Sequence, residues 1–174
     1  MSRPSFQESI QLLQKRGVLD RDEAPSMPSR MPQPEDEVLG LEYFRTALEG
    51  DDLSGVSIPR TFLCRSEISG VRFENSDLSE SFACWCDFVN SSFRGADLSR
   101  SDLRSSTFER VSFCEANLSG ADLRHSAFIE CDFTGANVTG AKLTKIASRT
   151  MKLEAEQLRE IAWQETDGPE PHGG

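Results

Sequence analysis

From Leu48 to Leu143 every fifth residue is apolar, running Leu48, Leu53, Ile58, Leu63, Ile68, Phe73, Leu78, Ala83, Phe88, Phe93 and on without insertion or deletion. Ala83 is the one small member of the series. Two places earlier stands a slim residue, as in Ser76, Cys86, Ala96, Val111, Ala121 and Cys131, and one place earlier often a polar one, as in Asp77, Asp97, Asp102, Asn117 and Asp122. A period of five fits neither a helix near 3.6 nor a strand at 2. It fits a chain that turns a corner every five residues, with the apolar and the slim residue inside and the other three outside. Gly, Asn and Ser after the apolar residue suit such corners.

A second period lies over the first. From Phe88 to Leu123 the central residues alternate as Phe-Phe-Leu-Leu, a repeat of twenty residues, or four units. Four faces per coil would stack Phe on Phe along two faces and Leu on Leu along the others. With coils about 4.8 Å apart, about five of them make a rod on the order of 24 Å long.

Clean units read Ala-Asp-Leu-Ser-Arg at 96–100 and Ala-Asn-Leu-Ser-Gly at 116–120. In this pattern the chain resembles the pentapeptide-repeat family. The resemblance covers residues 46–145 and implies an all-β solenoid, a right-handed quadrilateral parallel β-helix of about five coils.

The flanks predict helical caps at both ends, since open ladder edges invite aggregation. The division expected is 1–45 for an N-terminal helical and linker segment with its cap, 46–145 for the β-helix, and 146–174 for a C-terminal helix and loose tail. Residues 4–19 are amphipathic through Phe6, Ile10, Leu12 and Leu13. Asp20–Pro34 carries four prolines and reads as an extended linker. Residues 35–49 offer a helical face of Val38, Leu41, Phe44, Ala47 and Leu48, although Tyr43 sits on the five-residue register, so the first coil could begin there instead. Lys152–Trp163 predicts a short helix whose Leu153, Leu158 and Ile161, with Trp163, form either a cap or a homodimer contact.

Charge narrows function. The net charge of −10 speaks against direct nucleic-acid binding. Residues 1–30 hold no continuous apolar stretch, no segment approaches a membrane span, and five cysteines without a CxxC pair suit a reducing, cytoplasmic setting. Cys86 and Cys131 occupy the slim inward position. Cys64 and Cys84 stack on the outside and are expected as free thiols. Cys84-Trp85-Cys86 places its sulfurs on opposite sides of the wall and makes no metal site. His125 falls on a corner and His172 in the tail, and no catalytic constellation assembles around them. No cofactor is expected and the chain reads as a non-enzyme.

The functional reading is a protein-binding or scaffold module that presents a rigid face to a partner the sequence does not identify. The resemblance also implies an alternative, a DNA mimic that binds or protects a type II topoisomerase, gyrase, through stacked carboxylates such as Asp77 over Asp97 and Asp102 over Asp122. The charge distribution weakens it. Residues 46–145 hold 15 acids and 10 bases, and the flanks 14 and 9, so the rod is no more negative than its ends. Arg104 and Arg124 beside Asp102 and Asp122 predict solvated mixed-charge pairs. The most unusual outward residues are apolar: Phe62 and Phe82 in one column, with Trp85 on the next corner. Either the N-terminal helix folds back over them, or they form a partner-binding face, or a bulge at Ala83 turns Phe82 inward.

Overall fold

The computed structural model describes residues 3–33, 35–36 and 40–165. The corner that the period demands recurs without a gap: every fifth residue from Arg45 to Gly140 has a positive φ, between 50° and 69°. Seven of these twenty corners are glycine and thirteen carry a side chain, so the solenoid holds ordinary residues in the left-handed region at a modest strain each. Between corners lie three-residue strands or single bridges: β1 (Glu42–Phe44), β2 (Ala47–Glu49), β3 (Phe62–Cys64), β4 (Glu67–Ser69), β5 (Asp87–Val89), β6 (Thr107–Glu109), β7 (Ala127–Ile129), β8 (Lys142–Thr144) and β9 (Ala162–Gln164). All pairs are parallel at a step of twenty residues, as in Leu48↔Ile68↔Phe88↔Phe108↔Phe128.

The four faces, in chain order, centre on Tyr43, Leu48, Leu53 and Ile58 and on the residues twenty, forty and more places on. The second and third faces hold the phenylalanine columns. Phe88, Phe108 and Phe128 stack with centroids 4.9 and 5.1 Å apart, and Phe73, Phe93, Phe113 and Phe133 at 4.6, 5.4 and 4.9 Å. The columns meet edge to face, with Phe108 against Phe113 at 5.4 Å and 67°. This offset stacking is the arrangement aromatic quadrupoles favour. The slim inward residues fill the corners. Ser76, Ser101 and Ser126 donate their buried hydroxyls to the carbonyls of Phe73, Leu78 and Leu103, and Cys86 and Cys131 aim their thiols in the same way at Leu63 and Phe108.

Three boundaries differ from expectation. The first coil starts at Glu42, not 46, because Tyr43 takes the inward position and pairs with Leu63. The helix expected across 35–49 is therefore absent at 42–44 and 47–49, which are strands; Val38 lies outside the described residues. The helix expected over Lys152–Trp163 shrinks to α2 (Ala155–Glu160), and Trp163 instead forms β9, twenty residues after Leu143, its partner. With one rung gained at each end, the solenoid makes about six coils, where the repeat alone suggested about five.

Both ends are closed by side chains that replace a missing coil. Helix α1 (Phe6–Arg16) opens with a Ser5–Glu8 capping box and ends at Gly17 with φ 76°. It buries Ile10 and Leu13 on the first coil. Inside the rod, the N–H at position 77 donates to the carbonyl of Val56 in the preceding coil. Ser57, one coil earlier, has no such carbonyl and donates to Ser9 Oγ at 2.8 Å. Arg16 Nη1 likewise serves the carbonyls of Asp52 and Ser54, at 3.0 and 2.8 Å. At the far end, Gln157 of α2 is buried and its Nε2 donates to the carbonyls of Phe133 and Ala136, both at 2.9 Å. Leu153 is half-buried against the main core and Ile161 is buried in it.

Candidate functional site: the first face and its corner

The first face carries the residues that break the pattern. Phe62 and Phe82 do point outward and stack, centroids 5.5 Å apart at 10°. Ala83 keeps its ladder bond to Asp102 at 2.8 Å, so no bulge turns Phe82 inward. Yet both rings are buried, at 5% and 2% exposure. With Cys64 and Cys84 they form a hydrophobic cluster separate from the main core, against which Met31 and Trp85 pack.

The cover is thus the proline-rich segment rather than helix α1, which sits on the end of the rod. Prolines keep this segment extended, and side chains pin it at several points. Gln14 of α1 donates to the carbonyls of Asp20, Arg21 and Glu23. Arg60 Nη1 holds the carbonyl of Pro28 at 2.8 Å, and Arg30 pairs with Asp36 at 2.7 Å. The Pro28 ring lies 2.7 Å from where a Cβ on Gly40 would stand, so only glycine admits this strap. Burial pushes the Cys64 thiol up to about 12 and raises Cys84 as well.

Trp85 occupies the corner beside the cluster, half-buried, at φ 52°. The Arg65 guanidinium lies 5.4 Å from its ring centroid. On the first rung of the Cys64–Cys84 column Phe44 is exposed and sits 6.2 Å from Phe62.

The aspartates have a structural task that the sequence pattern did not reveal. Asp77, Asp97 and Asp122 each accept the backbone N–H two residues on, from Ser79, Ser99 and Arg124, and Asp102 accepts that of Arg104. Asn117 and Asn137 do the same for Ser119 and Thr139. These are Asx-type turns that set up the corner, which explains why Asp and Asn alternate freely one place before the apolar residue. The columns also break: Asp77 and Asp97 are followed by Asn117 and Asn137, and Asp102 and Asp122 by Lys142.

Asp102 and Asp122 differ from solvated surface pairs. Arg104 grips Asp102 through Nε and Nη2 at 2.8 and 2.6 Å, and Arg124 grips Asp122 at 2.8 and 2.7 Å. All four side chains are only 12–18% exposed, because stacked rungs desolvate one another. Burial would raise the Asp122 carboxyl, but the Arg124 guanidinium outweighs it and holds the group below the usual range. At the C-terminal end, Leu158 and Trp163 stay exposed, although Trp163 Nε1 donates to the Leu158 carbonyl. Among the described residues no three His, Cys, Asp or Glu groups converge to hold a metal, and no helix is long and apolar enough to cross a membrane.

A family model described as a pentapeptide repeat region matches residues 84–163. This stretch, a little under half of the chain, is a pentapeptide-repeat region. Solved pentapeptide-repeat structures resemble the chain. One is a protein of the Arabidopsis thaliana thylakoid lumen, with 26% identity, covering 64% of this chain and 71% of its own, at a TM-score of 0.47. Another is Rfr23 of the cyanobacterium Cyanothece 51142, with 15% identity, 72% and 89% coverage and a TM-score of 0.42. A trypsin-treated form of QnrB1, a plasmid-mediated fluoroquinolone resistance protein, shows 17% identity, 72% and 92% coverage and a TM-score of 0.37. No curated protein matches the sequence.

Proposed function

We propose that this pentapeptide-repeat chain is a non-catalytic protein-binding module, a rigid rod that offers the corner around Trp85 to a protein partner. The observation that carries the reading is Trp85 itself. A bulky ring at a left-handed corner is disfavoured by local sterics, and the neighbouring corners of its column, Arg45, Arg65, Ser105 and His125, are polar. The ring remains half-exposed while the phenylalanines beside it are covered. Tryptophan flanked by arginine is a common make-up of interface hot spots. Phe62 and Phe82 can join such a contact only when the strap lifts.

Exposed Leu158 and Trp163 beside the C-terminal cap support self-association through that end as a second contact, the partner being another copy. The compartment we infer is the cytoplasm, where the five unpaired cysteines stay reduced. The alternative of a DNA mimic acting on gyrase finds less support, because the carboxylates serve the corners and their columns end at Asn117 and Lys142.

The test is cross-linking in cells followed by Trp85→Ser. The expected result is a discrete cross-linked partner that Trp85→Ser weakens at least tenfold while the circular dichroism stays unchanged. A partner bound equally by Trp85→Ser removes this reading. Inhibition of gyrase supercoiling by the purified chain, insensitive to Trp85→Ser, favours the mimic instead.

A further inference from the structure

Beyond Met31 the first face opens into a cavity of about 330 Å³. Met31 forms its rim, and its wall includes Arg100, Arg104, Arg124 and Lys142 against Asp102 and Asp122. Four cations against two carboxylates leave a local excess of two positive charges on a chain whose net charge is −10. Counting the Arg60–Glu80 pair that also engages Arg100 leaves the excess the same.

The cations are not loosely placed. Asp102-Leu103-Arg104 and Asp122-Leu123-Arg124 repeat the same arrangement on successive rungs, about 4.8 Å apart. In each, Nε and Nη2 are fixed on the neighbouring aspartate. Among the described residues, Nη1 of Arg104 and of Arg124 has no hydrogen-bond partner. Lys142 follows on the next rung, its ammonium 4.0 Å from Asp122 and its side chain half exposed. Three cations therefore sit on three successive rungs, two of them with rigid donors.

We propose that this cavity is an anion site that takes a phosphate monoester or free phosphate. A tetrahedral dianion with three oxygens can bridge two guanidinium groups one rung apart and still reach the lysine, whereas a single carboxylate satisfies one fork. Met31 gives the rim an apolar side, which suits the carbon end of an ester. The site adjoins the Trp85 corner, whose backbone N–H donates to the Arg104 carbonyl, but its anion contacts do not use the Trp85 ring, so Trp85→Ser leaves them in place.

The test is calorimetric titration of the full chain at constant ionic strength with two probes, inorganic phosphate and a short phosphoserine peptide. Binding of either, weakened tenfold or more by Arg124→Gln, several-fold by Lys142→Gln and not at all by Arg94→Gln on the third face, supports the site. Tighter binding of the peptide identifies an esterified ligand, and equal or tighter binding of inorganic phosphate a free one. Should Arg124→Gln fail to fold, Lys142→Gln carries the test, since its ammonium holds no short bond. Failure of both probes to bind above chloride, or equal weakening by Arg94→Gln, overturns the proposal.

Discussion

Phe108→Ala lowers the unfolding free energy by about 3–5 kcal/mol, the range for removing a fully buried aromatic side chain. Phe108 is 0% exposed and lies in the middle of its column, stacked on Phe88 and Phe128 and edge-on to Phe113. The hole cannot collapse readily, because the backbone on every side is fixed by ladder bonds at the rung spacing. Each coil contacts chiefly its neighbours, so the loss weakens the coils on both sides together. Urea denaturation followed by circular dichroism reads the effect. A half-exposed, outward-facing control on the same face, Thr107→Ala, should stay within about 0.5 kcal/mol of the unaltered protein.

Gln157→Leu costs about 1–3 kcal/mol, the penalty for leaving buried polar groups unsatisfied. Leucine keeps most of the volume and removes the two bonds to Phe133 and Ala136. Among the described residues the Ala136 carbonyl then has no donor, while the Phe133 carbonyl retains that of Ala136 N at 3.0 Å. The damage should be local. Hydrogen exchange should speed up in residues 137–164 and leave 47–109 unchanged, a pattern that separates loss of the end cap from general destabilisation.

The rod was legible because its period assigns every side chain to the inside or the outside. Tyr43 and Trp163 were legible too, each twenty residues from an inward neighbour, but the helical reading of their flanks competed with that register, and the ladder won because a free rung is costlier than a shortened helix. The outward Phe62 and Phe82 marked a break in the pattern, and three outcomes fitted it. That the proline-rich strap covers them was beyond reach, since an extended segment has no periodicity and, among the described residues of the strap, Met31 alone touches the cluster as an apolar anchor. The Asp102–Arg104 and Asp122–Arg124 pairs looked solvated in one dimension. Stacking two of them a rung apart removes most of the water, an effect visible only once the coils are closed.

The most direct test of this architecture is thiol accessibility, because the five cysteines sample each environment. Cys114 is half-exposed on the third face and donates to Asp132 at 3.0 Å, Cys86 and Cys131 lie in the core, and Cys64 and Cys84 lie outside the core but under the strap. Brief maleimide labelling of the native protein at neutral pH, mapped by mass spectrometry, should modify Cys114 first and leave the other four intact, and Met31→Asp should add Cys64 or Cys84 while Cys86 and Cys131 stay protected. Labelling of Cys64 or Cys84 as fast as Cys114 in the unaltered protein would contradict the covered first face.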